Sequence, residues 1–157
     1  MSRRRRAVVR EVQQDPKFKS TLVTRLVSTI MCGGKKCTAE RIVYGAFDQI
    51  IAKSQSENPL EILQRAVDNA KPRIETKPRR MGGATYQVPL EVPAERQASL
   101  ALRWIVDSAD ARKGVPMSQA IASEILEAYQ GQGNVIRKRD EVHKMAQANK
   151  AFAHFRW

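Results

Sequence analysis

Apolar residues return at three- and four-residue spacing over most of the chain, which is the pattern of helices that each bury one face. Phe18, Leu22, Val23, Leu26, Val27, Ile30 and Met31 form the first such stripe. Asp15 and Pro16 precede it as an N-cap and a first-turn proline, so the pattern predicts a helix from there. Gly33 and Gly34 stop it. Thr38 is the expected cap of a second helix, with Ala39, Ile42, Val43, Ala46, Phe47, Ile50 and Ile51 inward and Glu40, Arg41, Asp48 and Lys53 outward. Asn58 and Pro59 repeat the start signal for a third, carried by Leu60, Ile62, Leu63, Ala66, Val67 and Ala70, with Glu61 and Arg65 as an outer i,i+4 pair. Pro72 ends it.

The period changes over residues 73–92, RIETKPRRMGGATYQVPLEV. Gly82 and Gly83 are a two-residue hairpin turn signal between stretches containing Ile, Thr, Tyr and Val. Pro78 and Pro89 cannot donate to a covered sheet, which predicts a separate two-stranded ribbon with both edges open. Such a ribbon is marginal by itself, so it is expected to rest partly on the helices and to gain its full order from a partner. Helix resumes after Pro93, with Ala98, Ala101, Leu102, Ile105, Val106 and Ala109 inward and Arg103 and Trp104 at the margin. Pro116 opens a fifth helix (Ala120, Ile121, Ile125, Leu126, Ala128) that Gly131 and Gly133 close. A sixth runs from Asn134 to about Lys150 on a weak stripe of Val135, Val142, Met145 and Ala146. The expected fold is mainly α: a six-helix bundle with one extended β-hairpin arm and a flexible basic N-terminal arm. Residues 1–14 are expected to be that arm, and residues 15–157 a single helical domain carrying the hairpin.

Charge gives this helical body a partner. The formal net charge of +12 opposes a compact state unless a polyanion neutralises it. The charge is also clustered. Residues 1–37 hold ten Lys/Arg against two acids, residues 71–80 five against one, and residues 137–157 six against two, while the segments between are slightly acidic. Arg3, Arg4, Arg5, Arg6 and Arg10 have no apolar partners and are expected to anchor phosphate through bidentate guanidinium contacts, the alternative being a solvated tail. Arg73, Lys77, Arg79 and Arg80 make the ribbon a basic arm suited to a nucleic-acid groove, with Tyr86 available to stack. The alternative there is an edge ribbon whose charges deter aggregation.

Other chemistry is weakly supported. Gly33-Gly34-Lys35-Lys36 lacks P-loop spacing and follows a helix, so it reads as a helix stop exposing Lys35 and Lys36 beside the basic arm. Cys32 and Cys37, with only His143 and His154 as histidines, match no zinc finger; free thiols, no metal and no cofactor are expected. No carboxylate pair or His/Cys/Asp grouping has the local spacing of a catalytic site, so no enzyme is expected. No segment reaches the roughly 18 apolar residues of a membrane span, and the N-terminus lacks a signal-peptide core, which suggests a soluble intracellular protein. A DNA-binding regulator stays open as an alternative, although the best helix-turn-helix candidate, at 30–40, exposes Glu40 and Asp48 on its second helix. A nuclease is set back by the missing acidic or histidine cluster.

RRMGGATYQVPLEV at 79–92, ALRWIV at 101–106 and KMAQANKAFAHFRW at 144–157 resemble the bacterial and organellar small-subunit ribosomal protein seven family. GGKK after the first helix and ENPLEIL at 57–63 extend the resemblance nearly end to end. It implies a six-helix bundle with a β-ribbon arm and a structural protein of the cytoplasmic (or organellar) ribosome. Such a protein binds small-subunit ribosomal RNA directly, starts assembly of the head, lies near the exit-site transfer RNA and messenger path, and contacts small-subunit proteins nine and eleven. The implied RNA-facing residues are Arg3, Arg4, Arg5, Arg6, Arg10, Lys35, Lys36, Arg73, Lys77, Arg79 and Arg80. Arg137, Lys138, Lys144, His154, Arg156 and Trp157 would join them from the sixth helix and tail. Met81, Gly82, Gly83 and Ala84 at the hairpin tip would approach the exit-site transfer RNA. Two features depart from the family: Cys32 and Cys37, and a segment at 107–117 less basic than usual.

Overall fold

Ala120, Ile121, Ala122, Ile125 and Ala128 are all buried along one helix, and the neighbouring helices gather around it. The computed structural model describes residues 10–54 and 58–155. Six helices follow in order: α1 Thr21–Ile30, α2 Lys36–Ser54, α3 Pro59–Ala70, α4 Ala94–Asp110, α5 Met117–Tyr129 and α6 Asn134–Ala148. Strands β1 Ile74–Met81 and β2 Ala84–Glu91 stand between α3 and α4, and a 3-10 segment, Lys150–Phe155, follows α6. The architecture is the mainly α bundle with a hairpin that the periodicity predicts.

Helix α5 is the hub, packing against α2, α3, α4 and α6, while α1 closes the bundle over α2 and α4. Its alanines let neighbours approach closely; a Cβ on Gly45 of α2 would stand 3.6 Å from the Ser118 Cβ. One hydrophobic cluster takes residues from all six helices, with Phe47, Leu26, Ile50, Leu63, Leu102 and Ile105 among its largest fully buried members. Removing a ring such as Phe47 from a core of this kind costs about 3–5 kcal/mol.

Several boundaries differ from the sequence expectation. Pro16 starts no helix: residues 16–18 form a turn, Lys19 takes a left-handed φ of 49°, and α1 begins only at Thr21. The Asp15 carboxylate holds that turn by accepting the Lys17 and Phe18 N–H groups, so it caps a turn rather than a helix. Helix α1 ends at Ile30, leaving Met31 extended and exposed, and α2 begins at Lys36 without using Thr38 as its cap. Ile51 and Met145, both placed inward by periodicity, are exposed, whereas Ile136 is buried. Asn58 does cap α3, accepting the Leu60 N–H at 3.2 Å, but its amide also engages Glu61. Arg65 lies instead over the Tyr129 ring, 5.0 Å from its centroid, in place of the expected ion pair with Glu61.

The hairpin is antiparallel with Ile74 opposite Glu91, Lys77 opposite Val88, Arg79 opposite Tyr86 and Met81 opposite Ala84. Gly82 and Gly83 have φ of 55° and 88°, the doubly positive pair a tight hairpin turn needs. A further bond from the Val92 N–H to the Arg73 carbonyl extends the ladder to its base.

Candidate nucleic-acid interface

Of the N-terminal cationic block, Lys35 and Lys36 stand at the α1–α2 corner. Arg3, Arg4, Arg5 and Arg6 lie outside the described residues; Arg10 is exposed on chain without regular structure. Gln13, Gln14 and Pro16 line a cleft with Thr24 and Val27 of α1 and Lys36 and Glu40 of α2, so this segment reaches the body beside the lysine turn. Gly33 and Gly34, with φ of 59° and 75°, make that turn and leave Lys35 and Lys36 exposed. Lys36 stands 3.5 Å from the half-buried Glu40, and with the lysine exposed to solvent the pair is of small energetic value. Asp15 is buried, and Tyr44 donates its hydroxyl hydrogen bond to it at 2.8 Å. Burial, then the bond to Asp15 and its charge, push the Tyr44 hydroxyl up to about 12.

The ribbon is mounted on the body at three places. Arg96 of α4 grips Glu75 with a two-pronged contact at 2.9–3.1 Å, and Lys77 lies 3.3 Å from the same carboxylate. Burial pushes the Glu75 carboxyl up, but hydrogen bonds and charges from Arg96 and Lys77 outweigh it and hold it below its ordinary value. On α6, His143 Nε2 accepts the Arg73 N–H at 3.0 Å, and the Thr76 hydroxyl meets the Met145 sulfur at 3.4 Å. Beyond α6, Tyr86 packs on Phe152 and Phe155, with ring centroids 5.1 and 6.1 Å away. Tyr86 is therefore engaged within the protein, a correction to its expected freedom to stack on a partner. The ribbon rests partly on the helices, as expected, through Arg96 of α4 and His143 and Met145 of α6.

Lys77, Arg79 and Arg80 are exposed on β1 and Arg73 is exposed just before it, though Lys77 shares Glu75 with Arg96. Arg137, Lys138 and Lys144 are exposed on α6. Arg137 and Lys138 border a cleft of about 530 Å³ with Trp104 and Asp107 of α4. His154 is exposed with its ring 3.8 Å from that of Phe155, while Arg156 and Trp157 lie outside the described residues. Arg73 shares a cavity of about 520 Å³ with His143 of α6 and Lys150 of the 3-10 segment, whereas Arg137 and Lys138 border a different cleft. The clefts of Lys35 and of Arg137 adjoin, since Asp107 of α4 lines both and brings an acid to each.

Three charged residues have roles that spacing did not assign. Arg139 is turned inward, donating to the Asn69 carbonyl at 2.6 Å and pairing with Asp140. Arg112 bridges Glu124 and Glu127, each at 2.6 Å. Glu124 is 1% exposed, a carboxylate held inside the bundle. Its position three residues after Ile121 and four before Ala128 put it on the inward stripe, and that signal was legible. The pairing explains why residues 107–117 offer little free positive charge.

Among the described residues, no three His, Cys, Asp or Glu side chains converge to hold a metal ion, and Cys32 and Cys37 are exposed free thiols. No described helix is long and apolar enough to cross a membrane. A helical body that displays exposed arginines and lysines on a ribbon, a turn and a helix defines a basic nucleic-acid-binding scaffold. Residues 2–150 match the family model described as ribosomal protein S7p/S5e. The chain is 57% identical over 157 residues to "Small ribosomal subunit protein uS7" of Akkermansia muciniphila, covering all of both chains. It is 54% identical over 155 residues to the protein of that name from Thermotoga petrophila, covering 99% of each. The chain belongs to the ribosomal protein S7p/S5e family and is a structural protein of the small ribosomal subunit, not an enzyme. Its place is the ribosome, in the cytoplasm.

Proposed function

We propose that this chain binds the head region of small-subunit ribosomal RNA directly and nucleates assembly of the head. Residues 1–14 act as a basic arm and residues 15–157 as the body that carries it. The observation that carries this reading is the seated ribbon: Glu75–Arg96 and Arg73–His143 orient four exposed cations before any RNA arrives. A preoriented cationic arm loses less ordering entropy on binding than a free one. Arg10, Lys35, Lys36, Arg73, Lys77, Arg79 and Arg80 form the main phosphate-binding set, with Arg3, Arg4, Arg5 and Arg6 added from the arm. Arg137, Lys138, Lys144 and His154 extend it, and Arg156 and Trp157 do so from the tail. The hairpin tip, Met81 to Ala84, approaches the exit-site transfer RNA and the messenger path, and small-subunit proteins nine and eleven are the neighbours. RNA recognition through shape and unpaired segments suits a rigid body with projecting arms.

The test is binding to a transcript of the head region across a salt series. Replacing Arg79 and Arg80 by alanine is expected to weaken binding and to flatten the log–log salt dependence by about 0.7–0.9 for each phosphate no longer neutralised. An unchanged slope removes both residues from the interface. Assembly reconstituted without this chain is expected to leave the head unformed while the rest of the subunit assembles.

A further inference from the structure

Asp15 is 4% exposed although it borders an otherwise exposed segment. Its Oδ2 accepts the N–H groups of Lys17 at 3.1 Å and Phe18 at 2.9 Å, which already satisfies an ordinary Asx turn. Its Oδ1 takes a third bond, from the Tyr44 hydroxyl of α2, 29 residues away. The turn needs nothing from Tyr44. That bond joins the end of the N-terminal segment to the helix that begins at Lys36.

The neighbouring contacts act in the same direction. The Phe18 ring stands edge-on to Phe47 at 4.9 Å, and the Lys17 ammonium lies 5.4 Å from the Phe18 ring and 5.1 Å from that of Tyr44. Asp15 also closes its turn through the main chain, its carbonyl accepting from Lys19 at 2.8 Å. A charged carboxylate withdrawn from water is tolerated when charge-assisted bonds of this kind replace its hydration. Gln13 and Gln14 consequently lie in the cleft that Lys36 borders.

We propose that Asp15 and Tyr44 form a latch that fixes where the basic N-terminal segment leaves the body, so that its arginines and the lysine turn engage one stretch of RNA phosphates together. Asp15 and Tyr44 are positioning residues and touch no RNA themselves. Held at this point, a chain running back from Arg10 can carry Arg3 no more than about 25 Å further. That limit keeps the arginine run at high effective concentration over RNA already held by Lys35 and Lys36. Releasing the latch lets the same arginines sample directions that miss it. The inference rests on the ribosomal-RNA reading above.

The test is a double-mutant cycle on the full chain. Tyr44→Phe removes only the hydroxyl and keeps the ring that Phe18 and Lys17 contact. It is made in the wild-type chain and in a chain whose Arg3, Arg4, Arg5 and Arg6 are all alanine, and binding to the head-region transcript is measured across salt. In the wild-type background, Tyr44→Phe is expected to weaken binding at least threefold and to flatten the salt slope by about 0.7 or more, the value of one phosphate. In the alanine background it is expected to change neither quantity. Asp15→Asn, as a second variant, is expected to repeat the pattern. An equal loss in both backgrounds overturns the latch and leaves a merely structural bond, and no loss in the wild-type background overturns it as well. A wild-type chain that fails to bind the transcript overturns the ribosomal-RNA reading instead, which is a separate outcome.

Discussion

The backbone N–H of Arg73 donates to Nε2 of His143 at 3.0 Å, tying the first residue of the ribbon to the middle of α6 across 70 positions of sequence. The bond requires a neutral imidazole with its proton on Nδ1, because a protonated ring has no acceptor. Burial, then the charges of Arg139 and Arg73 against the opposing Asp140, hold the His143 pKa below its ordinary 6.5.

A depressed histidine pKa makes the seating of the ribbon pH-dependent. Above about 6.5 both folded and unfolded chains carry a neutral ring, and the contribution is whole. Below that value the unfolded chain takes up the proton first, so stability is lost as pH falls toward and through the folded value. Melting temperatures between pH 7.5 and 5 are expected to fall more steeply for the wild type than for His143→Gln, which cannot titrate. Parallel curves would mean that the ring is protonated in the folded protein too.

The Arg96 fork on Glu75 is the ribbon's link to α4. The guanidinium side is about half exposed, so solvent screens the pair, and Arg96→Ala is expected to cost about 1 kcal/mol or less in urea denaturation. Its local effect is larger: amide exchange in β1 should quicken, while amides in α5 keep their protection. Because Glu75 has a lowered pKa, the fork's contribution is present above about pH 4.5 and fades as pH drops below it. Exchange rates that do not change in β1 would show that the α6 contacts and the Tyr86 ring packing seat the ribbon without the fork.

Arg112 is the more consequential cation. It donates one hydrogen bond at 2.7 Å to Oε1 of Glu124 and brings a second guanidinium nitrogen to 2.6 Å; the Glu124 side chain is fully buried and its second oxygen has no hydrogen-bond partner among the described residues. Arg112→Ala leaves that carboxylate in the core with only the Asn134 amide, 3.4 Å from Oε1, and the expected loss is about 3 kcal/mol. Replacing Glu124 by Gln in the same background removes the charge and is expected to recover part of the loss. Urea midpoints of the single and double variants decide it.

Much of this fold was readable in advance, and the failures have physical causes. Asn58-Pro59 started a helix as expected, since both the cap bond and the proline's fixed φ act within three residues. Asp15-Pro16 carries the same local signal, yet Lys19 adopts a left-handed φ and the carboxylate turns to Tyr44. Met145 fitted the stripe of α6 but lies under the edge of the ribbon, where it meets Thr76 and stays largely exposed. Tyr86 looked free because nothing in the local sequence announces that Phe152 and Phe155 fold back beneath it.

By itself the sequence determined six helices, one ribbon, three cationic blocks and membership of a ribosomal family. Helical stripes, doubly positive glycine turns and charge clusters are set by neighbours a few residues apart, where backbone geometry admits few arrangements. Tertiary structure alone decided which cations face outward. Arg80 stays exposed on its strand, Arg112 and Arg139 are consumed by Glu124 and the Asn69 carbonyl, and Arg96 is set to hold Glu75. Those outcomes depend on distances between groups far apart in the chain, and a charge has a partner only once packing has brought that partner within hydrogen-bond reach.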